Sequence, residues 1–587
     1  MPMQKESNIF RRLRVSVHLL FRRLRIPNSH FLDLLAIIVG IATALVAIIF
    51  LQGVDLVFWA SNKLTTLFPD PRLMIFIPAI GGLMCGLTTF LFSPKAKGQG
   101  IPFVIYAVLM KSGLIELRNS VSRMLATIFT LGTMGSAGTE GPVVYFGSSV
   151  GSGFAQAFKL SPHNMKIMVS CGAAAGIAAT FQAPIGGVMF ALEAILHSFS
   201  PKVFSPIIIA AVVSSVTFKA IIGSHNAYLS NLIYEQQVIE VLAFAVLGVI
   251  CGVLASVFIK IYFKFSLLIK SLKVHPVLKP ALGGLLTGFV LLAAPNMAGN
   301  SYQLVERLVQ GELIIWQLLL FYLVLKILAT CFTLGSGGSG GLFAPSLVFG
   351  AIVGALFHNM LEFFLPQISV VGIYVMVGMA AFVSGTTHGP FAAILILCEM
   401  TGNYSVILPL LAGCVTAIIS GRAIMDASIY TVPLQALGIH LRDGHDLDVL
   451  KTYQVRDLME TQILSVRHCD KIREVLAILH ESPHDHALVR SEHDQIEGVI
   501  SFYHLTPIIL SQKDGLNKTA REAMHTTNDA VYEDDPILKA YDQFLMKETS
   551  YLLVIDRSKN YVGIIFKADI MRSYRKALHQ KSLAMTH

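Results

Sequence analysis

Four Gly- and Pro-rich interruptions cut apolar stretches that would otherwise span a bilayer: GSAGTEGP (135–142), QAPIGG (182–187), GSGGSGGLFAP (335–345) and THGP (387–390). A plain spanning helix needs about 20 consecutive apolar residues and no such breaks. Backbone left unpaired at membrane depth is tolerated only where it is buried in protein or lines a water-filled cavity. Transporters place their binding sites at breaks of this kind. The chain is thereby confined to a polytopic membrane fold whose broken helices enclose a site. Composition agrees, with 14% charged and 54% hydrophobic residues, against about 25% charged in soluble domains. Long apolar runs such as 31–51 and 241–261 supply the conventional spans.

The breaks are duplicated. TLGTMGSAGTEGPVVYFGSSVG (130–151) resembles TLGSGGSGGLFAPSLVFGAIVG (333–354), at an offset of 333 − 130 = 203. APIGGVMFALE (183–193) and GPFAAILILCE (389–399) form a second pair, each with its Pro nine residues before a Glu. Two matches in register imply a repeated membrane unit, and inverted-topology halves are a common arrangement of such repeats.

Near residue 435 the chain turns charged and His-rich. VRDLM (455–459) leads to GVISFYHL (498–505), and AREAM (520–524) leads to GIIFKADI (563–570), with 39 residues from Met to Gly in both. A helical pattern (473–481, 537–545) and a strand-like run (486–490, 551–555) lie between the markers. This tandem βαββα pattern resembles a pair of CBS domains.

Residues 1–30 carry Lys5, Arg11, Arg12, Arg14, Arg22, Arg23 and Arg25 against the single acid Glu6. A basic cluster before the first span marks a cytoplasmic N-terminus. No readout module accompanies it, so nucleic acid is not an expected partner. The seven cysteines are scattered without a CxxC pair. They read as small core hydrophobes, and no metal site is expected.

An anion crossing a bilayer needs a site that attracts without trapping it. A bare Lys or Arg is costly to bury there, whereas backbone N–H groups at helix N-termini attract more gently. KGQGIP (97–102), GTEGP (138–142) and GLFAP (341–345) each pair glycine with a proline suited to a first helical turn. Any one of them taken singly is an ordinary loop-to-helix turn; three, with two related by the repeat, point to an ion site.

Together these segments resemble the signatures of the CLC chloride channel and transporter family, which read GSGIP, G(K/R)EGP and GxFxP. SIYTVPL (428–434) supplies the family's late tyrosine at Tyr430. The resemblance implies an all-α polytopic membrane domain of two repeated, inverted halves with broken helices, followed by an α/β cytoplasmic CBS pair. The implied domains are a basic cytoplasmic N-terminus (1–30), the anion-transport domain (31–435), a linker (436–452) and CBS repeats at 453–510 and 518–580. It also implies a multi-pass protein of the cell inner or plasma membrane, with both termini cytoplasmic and one pore in each subunit of a homodimer. The amides of Leu342 and Phe343 and the Tyr430 hydroxyl would hold chloride centrally, Gly98 and Gln99 would border an inner site, and Glu140 with the Gly141 amide would form an outer one. Glu140, itself an anion, could occupy the place meant for chloride, so it is the expected gate.

Three positions depart from the family pattern. Gln99 replaces the Ser of chloride-selective members; nitrate- and fluoride-preferring members also differ there, though chloride remains the first expectation. Thr139 stands where Lys or Arg is usual. Ala194 follows Glu193 where proton-coupled exchangers carry a second acid that relays protons, and alanine binds none. Glu193 and Glu399, matched by the repeat, read as structural. The reading leans to a channel-like or loosely coupled conductor, with a proton/chloride antiporter using water or another acid as the alternative.

In the tail, CBS pairs often bind adenine nucleotides through G-h-h-(S/T)-x-(S/T)-D. GIIFKAD keeps Asp569 but has Phe566 and Ala568 at the hydroxyl positions, and GVISFYH keeps Ser501 but ends in His504. Asp569 is the one nucleotide contact expected, and no cofactor is required. The stretch 480–493 reads as a solvated polar edge. No P-loop, GxSxG or HExxH suggests an enzyme. A sodium-coupled solute carrier is the rival membrane reading, but it would need acids or carbonyl-rich breaks for its cation.

Overall fold

The computed structural model describes residues 28–436 and 453–573, interrupted at 68–70, 93–99, 224–237, 366–367, 462–463, 481–485, 493–495, 512–514, 526–529, 571–572 and single positions between 548 and 559. The expected basic N-terminal segment up to residue 27, most of the linker, and Gly98 and Gln99 lie outside the described residues. Two compact units divide at Ala436 and Leu437.

The first unit is helical. Its first half comprises α1 (Asn28–Leu67), α2 (Phe76–Phe92), α3 (Gly100–Met110), α4 (Leu117–Gly132), α5 (Glu140–Ala157), α6 (Pro162–Phe181), α7 (Pro184–Phe190), a π turn at Ala191–Leu196, and α8 (Pro201–Ile222). The second half runs through α9 (Val238–Ser271), α10 (Leu278–Ala293), α11 (Tyr302–Val309), α12 (Trp316–Gly335), α13 (Phe343–Phe364), α14 (Val371–Thr387), α15 (Pro390–Thr401) and α16 (Ile407–Ile424). A final short helix, α17, spans Val432–Gln435. Among the described residues, 7 helices are long and apolar enough to cross a membrane. Of the shorter apolar ones, α7 and α15 start at breaks and α14 stops at one.

The halves touch reciprocally. Gly138 N–H donates to the Gly341 carbonyl at 2.9 Å and Gly341 N–H donates back to Gly138 at 2.8 Å, between positions 203 apart. Ser136 N–H donates to Thr333 Oγ1 (3.1 Å), and the equivalent Ser339 N–H donates to Thr130 Oγ1 (3.3 Å). Such mutual exchange is the signature of a two-fold axis between the repeats.

The reciprocity also decides the paired acids. Both oxygens of Glu399 accept backbone amides at the start of α7, from Ile185 (3.1 Å) and Gly186 (2.7 Å). Both oxygens of Glu193 accept the equivalent amides of α15, from Phe391 (3.4 Å) and Ala392 (2.9 Å). Each half thus caps a helix N-terminus of the other with a carboxylate, satisfying amides a proline-initiated helix leaves open.

The second unit carries the duplicated tail. One sheet joins β1 (Ser465–Arg467), β2 (His486–Arg490) and β3 (Ile496–Ser501) around α18 (Ile472–His480) and α19 (Phe502–Ser511). After α20 (Ala520–Ala523), the other joins β4 (Ala530–Tyr532), β5 (Tyr551–Ile555) and β6 (Tyr561–Phe566) around α21 (Ile537–Lys547). Each sheet has a parallel then an antiparallel pair, and the register shifts at the same place, Val489/Arg490 and Val554/Ile555. The expected solvated edge at 480–493 is corrected at His486. Its ring packs on Phe566 (5.0 Å) and Tyr551 (5.9 Å), because β2 opens with its side chain turned toward the second repeat.

Candidate functional site

The site grows from two helix starts. In α5 the first three residues are Glu140, Gly141 and Pro142; in α13 they are Phe343, Ala344 and Pro345. Proline in the first turn has no N–H to lose. The ladder resumes only at Val143, which donates to the Thr139 carbonyl (3.1 Å), and at Ser346, which donates to Leu342 (3.1 Å). Each helix start therefore leaves two amides outside the helical ladder at its tip, Glu140 and Gly141 in one and Phe343 and Ala344 in the other. Neither tip is capped by the side chain before it.

The Gly138–Gly341 bridge draws the tips together. A Cβ at Gly341 would lie 2.8 Å from the Gly141 nitrogen and 3.0 Å from the Glu140 carboxyl carbon, so glycine is required for this close approach. Glu140, 1% exposed, reaches across the bridge and its Oε1 accepts the Ala344 amide. The Phe343 amide also faces the carboxylate. Oε2 is buried and makes no hydrogen bond.

Leu342 and Phe343 are buried at the α13 tip, and the Phe343 ring lies 5.7 Å from that of Phe181. Tyr430 is 2% exposed, its hydroxyl makes no hydrogen bond, and it lies within electrostatic reach of Glu140. Its ring stands edge-on to Phe190 at 6.4 Å, the last residue of α7. Glu140, Gly141, Leu342, Phe343 and Tyr430 thus converge. Ala194 lies in the π turn that follows Phe190. Asp569 lies half-buried in the other unit, just after β6.

Two participants escape a reading of side chains. Ala344 contributes only its amide, which the following Pro345 signals in retrospect. Tyr302, first residue of α11, also brings a hydroxyl within electrostatic reach of Glu140. Among the described residues no cluster of His, Cys, Asp and Glu could hold a metal. Six cysteines are buried singly, and Cys469 is exposed.

Chemically the arrangement gathers neutral N–H and O–H donors of the kind that attract an anion, and the Glu140 carboxylate rests on one of them, the Ala344 amide. Residues 81–422, more than half of the chain, match the family model described as voltage gated chloride channel. The chain belongs to this CLC family. Its members are membrane channels and transporters rather than enzymes. A CBS domain model matches residues 520–576. The voltage-gated ClC-type chloride channel ClcB of Citrobacter koseri is 29% identical over 412 residues, 68% of this chain and 97% of that protein. ClcB of Salmonella typhimurium is 29% identical over 409 residues, covering 68% and 97%. Among solved structures, a slow cyanobacterial Cl−/H+ antiporter is 26% identical with a TM-score of 0.64, covering 69% of this chain and 97% of that one. A eukaryotic CLC transporter shares the fold at 20% identity and a TM-score of 0.66, covering 92% and 99%.

Proposed function

We propose that this CLC protein moves chloride across the membrane through a pore gated by Glu140, in a channel-like or loosely coupled manner. The observation that carries the reading is the Glu140 carboxylate seated on the Ala344 amide at the α13 tip. A carboxylate on an anion site competes with the anion. Protonation of Glu140, or its displacement by incoming chloride, frees the amides of Phe343 and Ala344, which with the Leu342 amide and the Tyr430 hydroxyl would hold the ion. Gly141 offers the outer contact; Gly98 and Gln99 are assigned the inner one.

Uncoupled conduction is favoured because Ala194 holds no proton and Glu193 is already committed, both its oxygens occupied by the α15 amides. The second reading, proton/chloride exchange, draws support from the 26% identical cyanobacterial structure, itself a Cl−/H+ antiporter. Nitrate or fluoride preference is the alternative left by Gln99. A homodimer is proposed with both termini cytoplasmic; exposed Ile208, Val212 and Val216 on α8 and Val415 and Ile419 on α16 suit its interface. Asp569 is assigned to an adenine nucleotide in the tail.

Flux from liposomes loaded with chloride, nitrate or fluoride tests the gate. Native protein should show pH-dependent chloride efflux, and Glu140→Gln should stay open with the pH dependence gone. Chloride flux that remains pH-dependent in the variant defeats the reading. A reversal potential that moves with an imposed pH gradient at fixed chloride would select the exchanger instead.

A further inference from the structure

Where α9, α12 and α14 meet, the side chains leave a space unfilled. Leu254, Val257, Phe258 and Ile261 follow one another at the i, i+3, i+4, i+7 steps that make a single stripe of α9. Leu323 and Ile327, one turn apart on α12, line the same space, and Phe382 of α14 completes its wall. The cavity measures about 50 Å³ and every lining side chain is apolar. Protein interiors hold few voids larger than a water molecule, and an apolar void stays dry.

Position decides what can enter. Phe258 and Phe382 are each 1% exposed, whereas Val257 and Ile261 are 42% and 45% exposed. The cavity therefore runs from buried rings to an exposed rim. Both α9 and α12 are long and apolar enough to cross a membrane. Halfway along α9 is about residue 254, and halfway along α12 about residue 325, so the opening lies near the bilayer centre, about 15 Å from either edge of the hydrocarbon. At that depth water is absent and the surroundings are the methyl ends of lipid chains.

Size narrows the occupant further. A cavity that admits benzene measures about 150 Å³, so this one takes the tip of a single chain and no ring. Lipid tails are as apolar as leucine, and expulsion of water gives no driving force here. What a chain end gains is dispersion contact with wall atoms that an empty space forfeits.

The buried wall touches the tip helix. The Phe349 ring of α13 lies 4.8 Å from Phe258 and 5.5 Å from Phe382, and those two are 6.5 Å apart. Phe349 is buried, 349 − 343 = 6 residues beyond Phe343 at the tip. An occupant of the cavity therefore presses on the rings that back the helix on which Glu140 rests.

We propose that this cavity is an acyl-chain site, seating the methyl end of one phospholipid chain from the surrounding bilayer and carrying its pressure through the phenylalanine cluster to α13. The seat rests on the membrane fold alone; its link to the tip rests on the gated-pore reading given above.

The test uses the whole chain in phosphatidylcholine vesicles that contain a small fraction of a phosphatidylcholine whose chain ends in a diazirine. Light converts that end to a carbene that inserts where it lies, and peptide mass spectrometry locates the adduct. Label is expected on buried Phe258, Leu323 and Phe382 as well as on the rim. Label confined to Val257, Ile261 and other exposed positions such as Leu320 overturns the proposal, since an ordinary lipid coat explains it. Leu254→Phe places a ring in the cavity, with Ile327→Phe as the second form should the first fail to fold. The filled form should lose the label at Leu323 and Phe382 and keep it on the rim; native-level label at those two buried positions overturns the proposal equally. Chloride flux from vesicles of long-chain or short-chain phosphatidylcholine reads the link to the tip. Native flux should respond to chain length more than flux of the filled form does. Equal responses leave the seat and remove the link. If neither form conducts chloride, the transport reading has failed, while the label still decides the seat.

Discussion

The first and second halves of the membrane unit share a scaffold and differ in one chemical detail. Both tips place proline third in the helix, both use a bridging glycine, and both have their loops gripped by a threonine of the other half. Only the first tip begins with an ionisable residue. Where Glu140 stands, the second half has Phe343. The symmetric scaffold supplies two sets of anion-seeking amides, and a single asymmetric substitution turns one half into the donor and the other into the occupant. On the proposed reading, gating is a side-chain property laid over a backbone property, and the two can be altered separately.

The largest expected effect comes from restoring symmetry. Glu140→Phe makes the tips chemically alike and should abolish pH-dependent closure in liposome flux, since no carboxylate remains to compete for the Ala344 amide. A charge-assisted bond of this kind is worth about 1.5–3 kcal/mol, so closed-state occupancy should fall by roughly one to two orders of magnitude. Residual pH-gated closure would show that the occupant is another group.

Disturbing the shared backbone should cost less but reach further. Gly341→Ala drives a methyl against the Gly141 nitrogen and the Glu140 carboxyl carbon, so stability in detergent should drop by about 1–3 kcal/mol with the gate disordered as well. An unchanged thermal midpoint would mean that the tips are not locked by the bridge.

The capping acids give a more symmetric test. Glu193→Gln and Glu399→Gln each remove the charge that receives two amides of the opposite half, and each should cost about 1 kcal/mol in thermal unfolding. Equal losses sharpen the two-fold comparison. A Glu193 variant that alters proton coupling while Glu399 does not would break it, giving Glu193 a transport role.

The smallest effect is expected for the gripping threonines. Thr130→Val should cost about 1 kcal/mol. Thr333→Val should cost somewhat more, because Thr333 also meets the Thr287 hydroxyl at 3.0 Å. The reverse order, read by thermal unfolding, would place the stronger grip in the first half.

Much of this was legible in the chain because duplication leaves arithmetic behind. The 203-residue offset, the nine-residue Pro-to-Glu step and the 39-residue spacing of the tail all correspond to elements in place. Glycine and proline betray broken helices because few other residues tolerate those positions. Ala344 was not legible, since its part is played by a backbone amide that every residue but proline has. Nor was the exchange of caps between Glu193 and Glu399, because a sequence lists which acids recur but not whose amides they meet. His486 was misread because its polar neighbours outweighed its place at the start of a strand.

The Gly138–Gly341 stitch has a consequence for biogenesis. The groups that Gly138 needs are encoded 203 residues downstream, and a ribosome adding about 5–20 residues per second takes about 10–40 s to deliver them. Throughout that interval the nascent first half must carry an unsatisfied loop and a lone acid within or beside the lipid. Its insertion therefore depends on shelter from the translocation machinery or on delayed entry of the loop, and the pore comes into being only as the last of its parts leaves the ribosome.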